Sequence, residues 1–468
     1  MLNIPVLIGV VLWAALMFVI GIIAGLRVKT SQDFFIGNRS FGLFPILATQ
    51  AATAIGGGCM IGWCGFGFTY GFGVMFYSLS VVVGMVILVG TVARHFQSKG
   101  FYTVPDWLCA SLGESKWMRG IAAIIAMWVA IGWWAGNATA LGTIVHQLTG
   151  LPIVVGALVG GGLALIYCAV GGLVSVVRTD QIQFIALWIG AFILIPFALK
   201  AAGGFPKITM SVPKENLDIW PGTAVAMGWL FAVGPGQMTL QMYYQRFSAS
   251  KSSKVAVWGM IGTIIATIGI GIYASLVGLS IRTINPELAS GQQAVPWFAS
   301  TMLPPIIGIF ILGAITAAIF STADSSLHSA AANIARDFYG SIIKPSSTEK
   351  QVLRVGRWTV VIIGILGIIA ALYIPSVMRW IVGGYVITAG GLLFPLFLGH
   401  FWKRTTRAGA IAGMLGGFVV ALPSVVIPSF GKWLSSLVIA PVIGALIVSL
   451  VLTVVVSLAT KKEAVARA

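Results

Sequence analysis

Acidic side chains are the scarcest chemistry in this sequence. Only 11 Asp and Glu occur in 468 residues, and charged residues of both signs amount to 8%. That is too little polar surface to clothe a water-soluble fold of this length. Cysteine is also sparse. Cys59, Cys64, Cys109 and Cys168 sit in or beside apolar segments, with neither metal-ligand spacing nor a paired-loop pattern. The histidines, His95, His146, His328 and His400, are scattered, which leaves no transition-metal set and no catalytic triad. With no acid–base pair or nucleophile–base set, an enzyme embedded in the membrane is disfavoured. The formal charge of +17 falls in short clusters between apolar runs rather than in a basic stripe interleaved with aromatics, so no nucleic-acid partner is expected.

What the chain does have is hydrocarbon: 58% of its residues are hydrophobic, and 58 are glycine. Small residues let helices approach closely in lipid, so this composition points to an all-α membrane protein in a lipid bilayer. A helix needs about 20 apolar residues to span the hydrocarbon, and about thirteen runs qualify. They lie near 4–26, 43–72, 74–93, 118–147, 151–173, 179–203, 222–245, 255–281, 297–328, 356–374, 377–400, 408–429 and 433–459. The first run has no cationic start and is too long for a signal-peptide core, so it reads as a spanning helix.

Charge tests this count, because short cytoplasmic loops should hold the Lys and Arg excess. With the N-terminus outside and the C-terminus cytoplasmic, all but six of the 28 basic residues fall on the inner side. The six are Lys200, Lys207, Lys214, Arg282, Arg379 and Lys432; the inner set includes Arg27, Lys29, Arg119, Arg246, Arg336, Lys461, Lys462 and Arg467. Orientation and loop charge together suit the cell membrane.

Two spans should break. Gly56-Gly57-Gly58 lies inside the second, and each glycine costs about 0.8 to 1 kcal/mol relative to Ala in a helix interior. Close packing between helices is the alternative reason for such a run. Gly234-Pro235-Gly236 lies inside the seventh, where proline removes a donor and clashes with the preceding turn. Spans 2 and 7 open two consecutive five-helix sets, and an odd number of helices gives the sets opposite orientations. Paired interruptions at matching places in inverted repeats are a pointer to a transporter's binding site.

Polar groups inside the spans sharpen this. Asp180 and Asp324 lie within spans, with Asp106 ambiguous beside an inner-loop amphipathic segment. A mid-membrane Asp costs roughly 2.5 to 3.5 kcal/mol on insertion scales, so each needs a partner. Ala318, Ser321, Thr322 and Ser325 recur at i, i+3, i+4 and i+7, which puts three hydroxyls on one helical face with Asp324 at its flank. Hard oxygen ligands of this kind suit an alkali cation. His328, one turn past Asp324, reads as a packing residue or a titrating partner.

At these residues the sequence resembles the sodium/solute symporter family, most of all its high-affinity choline transporter branch. The resemblance runs from Phe35-Ile36-Gly37-Asn38-Arg39 to Gly409-Ala410. Its most specific pieces are Gly171 to Gln183, Gln245-Arg246 and Ser321-Thr322-Ala323-Asp324-Ser325-Ser326. It implies an inverted five-plus-five repeat, dividing this chain into 1–42, 43–203, 204–400 and 401–468. It implies a sodium site at Ala52, Ile55, Ala318, Ser321 and Thr322, and in members coupling two ions a second sodium or gating set at Asp180, Asp324 and Ser325. No cofactor is implied beyond sodium as coupling ion. Of the tryptophans that line the choline pocket only Trp133 has a match; Ala54 and Leu240 stand at two others.

The expectation is therefore a sodium symporter importing a small organic solute, held between Gly56, Gly57, Gly236 and Gln237 with Ser78, Trp133 and Gln241. A transporter of choline or a related quaternary amine is the alternative within the family. A passive channel or facilitator is the alternative outside it.

Overall fold

The computed structural model describes residues 4–25, 30–170 and 172–461. Gly171 of the family motif and the basic residues Arg27, Lys29, Lys462 and Arg467 lie outside the described residues.

Each apolar run becomes helical. α1 is Ile4–Gly25; the second run gives two halves, α2a Leu43–Ala54 and α2b Gly57–Tyr70. α3 is Val74–Leu88, continued through a π-turn at Val89–Ala93 into Arg94–Lys99. α4 is Lys116–Thr149, α5 Ile153–Val170 and α6 Leu173–Ala201. The seventh run also gives two halves, α7a Thr223–Met238 and α7b Gln241–Ala249. α8 is Ser253–Ile284, α9 Pro305–Ala332, α10 Glu349–Tyr373, α11 Val377–Phe401, α12 Arg407–Val426 and α13 Pro441–Ala459.

Hydroxyls set several starts by satisfying amides that a first turn leaves bare. Ser115 accepts from Met118 N, Ser252 from Val255 N and Thr406 from Gly409 N. Gly150, at φ 77°, closes the C-terminus of α4 in the left-handed region that favours glycine.

Three runs differ from their expected limits. α6 begins at Leu173 rather than 179, so Asp180 lies two turns inside the helix. The 297–328 run divides into Ala294–Thr301 and α9, because Pro304 and Pro305 can only start a helix there; α9 then continues as a π-helix through Asn333–Ile343. The last run divides at Pro441, with Pro428–Leu437 as a separate short helix.

Ten helical stretches among the described residues are long and apolar enough to cross a membrane. The broken helices and the glycine-rich α5 complete the bundle. Its periphery meets lipid: Ile8, Leu12, Leu16, Val19 and Ile23 form one outward stripe on α1. Its centre is α4, α9 and α11, largely buried by their neighbours. α2a, α2b, α7a and α7b pack against these, so both interruptions lie inside protein, where a bare backbone can be tolerated.

Candidate functional site

α2a stops at Ala54; Ile55 has φ −115° and ψ 24°, Gly56 is extended at ψ 170°, and α2b starts at Gly57. The interruption therefore falls at the leading edge of the glycine run. The same glycines are also contact points. A Cβ on Gly56 would lie 1.5 Å from Thr322 Oγ1, one on Gly57 2.1 Å from the Ile315 carbonyl, and one on Gly58 2.6 Å from Asn137 Oδ1. Unwinding and close packing, posed as alternatives from sequence, are both present. One requires the other, since α9 and α4 press directly on the opened backbone.

Thr322 joins the two sides of this junction. Its hydroxyl donates to the Ala318 carbonyl at 3.0 Å and lies 3.5 Å from the Ala52 carbonyl. Ser321 donates to Asp180 Oδ1, and Thr49 donates to Asp180 Oδ2. Ala52, Ile55, Ala318, Ser321 and Thr322 are all buried. The C-terminal carbonyls of α2a present partial negative charge here, which favours a cation.

Asp180 also lies 3.9 Å from Arg246 Nη2, with neither side chain exposed. Arg246 carries the largest correction to the sequence reading. It was counted among inner-loop cations, yet it sits in α7b at 0% exposure. Its guanidinium donates to Ser325 Oγ at 2.5 Å, Thr53 Oγ1 at 3.2 Å, Thr49 Oγ1 at 3.4 Å and the Met242 carbonyl at 3.3 Å. Thr49 and Thr53, spaced i and i+4 on α2a, were not singled out either. That spacing on one face of an otherwise apolar half-helix was the available signal.

The expected second set does not share one geometry. Asp180 and Ser325 meet through Arg246, whereas Asp324 Oδ1 lies 2.9 Å from His328 Nε2 along its own helix. The His328 ring meets Phe34 edge-on at 4.7 Å.

The seventh helix does not break at its proline. α7a runs through Gly234-Pro235-Gly236 to Met238, and the interruption falls at Thr239 and Leu240. Proline lacks only its own donor, a loss the buried bundle absorbs. The carbonyls of Pro235 and Gly236 are met by Thr239 Oγ1 at 3.5 and 3.1 Å, which closes the helix one turn later.

Gly236 packs on Tyr385 of α11, where a Cβ would lie 2.5 Å from the tyrosine Cβ. Gln237 Nε2 donates to Tyr385 Oη at 2.7 Å, and the Trp133 ring stands edge-on to Tyr385 with centroids 5.7 Å apart. One turn from Trp133, Asn137 Nδ2 donates to the Trp133 carbonyl at 2.8 Å. Trp133, Gly236 and Gln237 are thus brought together around Tyr385, and Asn137 ties them to Gly58. Trp133 Nε1, Asn137 Oδ1 and Gln237 Oε1 are buried there without a hydrogen-bond partner among the described residues. Ser78 and Gln241 are placed elsewhere. Ser78 donates to the Thr267 carbonyl at 3.0 Å, and Gln241 binds Val104 N at 2.8 Å and the Tyr102 carbonyl at 3.3 Å.

Those last bonds anchor α7b to the short helix Val104–Leu112, which carries an ion-pair clamp. Asp106 Oδ1 lies 2.7 Å from Arg119 and Oδ2 2.5 Å from Arg336; Arg119 also meets Asp337 at 2.8 Å and Glu114 at 2.7 Å. Burial pushes the Asp106 carboxyl up, but the Arg336 and Arg119 guanidiniums outweigh it and hold the group below the usual carboxylate range.

The Sodium:solute symporter family model matches residues 34–417, most of the chain and all of the geometry above. The chain belongs to that family. Among sodium:solute symporters it is 30% identical to High-affinity choline transporter 1 of Drosophila melanogaster over 454 residues, covering 90% of this chain and 70% of that protein. It is 25% identical to the Sodium/glucose cotransporter of Vibrio parahaemolyticus over 437 residues, 84% of this chain and 79% of that one. The fold matches the solved outward-open structure of a Na+-coupled sialic acid symporter with a TM-score of 0.82 at 19% identity, covering 98% of this chain and 99% of the other. The chain is an integral membrane symporter of the inverted five-plus-five repeat fold, coupled to sodium and carrying a small organic solute. Its family and structural neighbours are transporters rather than enzymes.

Proposed function

We propose that sodium binds where the α2 break meets α9, to the carbonyls of Ala52, Ile55 and Ala318 and the hydroxyls of Ser321 and Thr322. We further propose that the imported solute is a neutral or zwitterionic molecule held around Tyr385. The single observation that carries the solute assignment is the cluster of partnerless buried polar atoms at Trp133 Nε1, Asn137 Oδ1 and Gln237 Oε1. Buried polar atoms are nearly always hydrogen-bonded, so three orphans on residues linked through Trp133 and Tyr385 fit a ligand that supplies two donors and one acceptor. Gly56, Gly57 and Gly236 let the surrounding helices close on this region, and Trp133 supplies an apolar wall. A quaternary ammonium offers no N–H to either amide oxygen.

Transport follows from placing both sites on broken helices. Rocking one helix set against the other exposes the shared centre alternately to each side, with the N-terminus outside and the repeats at 43–203 and 204–400. Sodium-gradient-driven, concentrative and saturable uptake into proteoliposomes separates this from a passive channel.

A quaternary-amine reading draws on the similarity to choline transporters and on the Trp133–Tyr385 pair. Each well-placed ring adds about 0.5 to 2 kcal/mol to cation binding. Ala54 and Leu240 withhold two such rings. Choline is therefore expected to bind this protein weakly in sodium buffer, and a dissociation constant in the low micromolar range overturns the neutral-solute assignment.

A further inference from the structure

Between α7a, α11, α12 and α13 lies a cavity of about 330 Å³ that the sodium and solute readings leave unused. That is the lower end of ordinary small-molecule pockets, which run from about 300 to 1,000 Å³. Val225 of α7a, Val382 and Val386 of α11, Val425 of α12 and Val442 of α13 make its aliphatic walls. Tyr70 and Trp229 add an aromatic side, their rings edge-on with centroids 5.3 Å apart. Behind Trp229 stand Phe66 at 5.0 Å and Tyr77 at 5.4 Å, so this side is backed by packed rings. The cavity opens on the membrane side away from the ion-pair clamp. α11 begins at its rim and ends at His400, whose Nδ1 accepts from Trp107 Nε1 of the clamp-bearing helix at 3.3 Å.

The chemistry of the rim has one sign. Arg379 lines it, is exposed, and takes part in none of the ion pairs among the described residues, and no lining residue is acidic. Ser424 gives its proton to the Ala421 carbonyl at 2.7 Å, which leaves the guanidinium as the charged donor. Its planar fork matches a carboxylate and repels an organic cation. At the neighbouring end of α2b, Arg282 takes the carbonyls of Phe68 and Thr69 at 3.0 and 2.8 Å, so they do not offset this charge. Size, an apolar and partly aromatic interior, and one cationic group at the mouth together describe a small amphipathic anion.

The position gives such an occupant leverage. One turn beyond Ala232 of the cavity wall, α7a reaches Gly236 and the Gln237–Tyr385 bond. A molecule wedged between α7a and the α12–α13 pair therefore bears on a helix of the solute cluster without entering that cluster.

We propose that this cavity is a second small-molecule site, for an organic carboxylate with a flat apolar body, and that its occupant restrains α7a against α12 and α13. The site is independent of the sodium assignment above.

The test uses 2-naphthoate, with 2-naphthamide as its uncharged counterpart. Binding to the purified full chain in nanodiscs of zwitterionic lipid is measured by equilibrium dialysis, with empty nanodiscs subtracted. The wild type is expected to bind one naphthoate per chain saturably, and the amide about fivefold more weakly, the scale of one exposed charge pair. Arg379→Gln should lower the acid to the level of the amide and leave the amide unchanged. Gly228→Leu should abolish both, because a Cβ there meets only Ala440 Cβ, at 3.8 Å, and the longer side chain fills the cavity while favouring the helix. Hydrogen exchange over Thr223–Met238 should slow with naphthoate in the wild type and not in Gly228→Leu. Radioactive sodium binding should be the same with and without the probe.

Absence of saturable naphthoate binding overturns the inference. So does binding that survives in Gly228→Leu, which places the probe elsewhere, or equal affinity for acid and amide, which removes Arg379 from the site. Displacement of sodium by naphthoate would put the probe at the α2 junction and also overturn it. Unchanged exchange in α7a at saturating probe contradicts the restraint. Should Gly228→Leu fail to fold, Arg379→Gln and the acid–amide comparison still decide.

Discussion

The two broken helices, α2 and α7, are interrupted by different means. In α2 the chain opens at Ile55 and Gly56 where neighbouring helices press on the backbone, with Thr322 and Ile315 occupying the space that a Cβ on Gly56 or Gly57 would need. In α7 the proline is carried inside a continuous helix, and the interruption waits for Thr239 to collect the carbonyls of Pro235 and Gly236. Glycine here is demanded by contact. Proline is merely accommodated. The lesson is that contact explains why Gly56 must be glycine, but crowding alone does not open a helix, since Gly236 is also pressed by Tyr385 inside a continuous α7a.

The sharpest way to break this contrast is Gly56→Ala. Its methyl group would overlap Thr322 Oγ1, so sodium affinity is expected to fall on the order of 100-fold, well beyond a glycine-to-alanine propensity effect. Sodium binding to the purified variant checks it, and wild-type binding would show that contact at Gly56 is dispensable. Next come Ser321→Ala and Thr322→Ala, each removing one oxygen from the ion. A half-saturating sodium concentration raised about tenfold is expected for either, the usual scale for one interaction with a charged group. Unchanged sodium dependence in both would move the site elsewhere.

A smaller effect is expected on the α7 side. Gly236→Ala crowds Tyr385 and should cost about 1 to 3 kcal/mol of stability, as overpacking generally does, with sodium binding kept. Pro235→Ala should leave thermal stability unchanged or raised, since the helix already continues through that position. A severe loss in Pro235→Ala would mean that the proline, and not Thr239, sets the interruption.

The smallest expected effect concerns the clamp that holds α7b through Gln241. Asp106 has a folded pKa depressed below 3.8, so its stabilisation is complete above that value and is lost as pH falls through the depressed one. The melting-temperature difference between wild type and Asp106→Asn should therefore not shrink between pH 7 and pH 5, and should shrink only below about pH 4. A difference that already shrinks by pH 5 would show that Arg336 and Arg119 do not hold the group ionised.

Much of this was legible beforehand because lipid imposes simple rules. Apolar run length located the long spanning helices, and the hydroxyl face of α9 includes Thr322, which meets α2 at Ala52. What stayed hidden depended on distant partners. Arg246 follows Gln241-Met242-Tyr243-Tyr244-Gln245, a stretch whose local polarity reads as a loop, and its burial is explained only by Thr49, Thr53, Asp180 and Ser325 from three other helices. Tyr385 lies in an ordinary apolar run, and nothing local marks it as the meeting point of Trp133 and Gln237. Ser78 and Gln241 have suitable chemistry, but strong contacts elsewhere hold them.

The Asp180–Arg246 pairing also has a consequence for how the protein is made. The carboxylate belongs to α6, whereas its guanidinium arrives later in the chain with α7b. A ribosome delivers them in that order, so Asp180 enters the bilayer before its guanidinium, with Thr49 of α2a as an earlier-made partner, and a mid-membrane Asp costs roughly 2.5 to 3.5 kcal/mol on insertion scales. Only when α7b docks does the earlier half reach its final energy. The Asp180–Arg246 contact thus joins two parts of the chain that are made at different times.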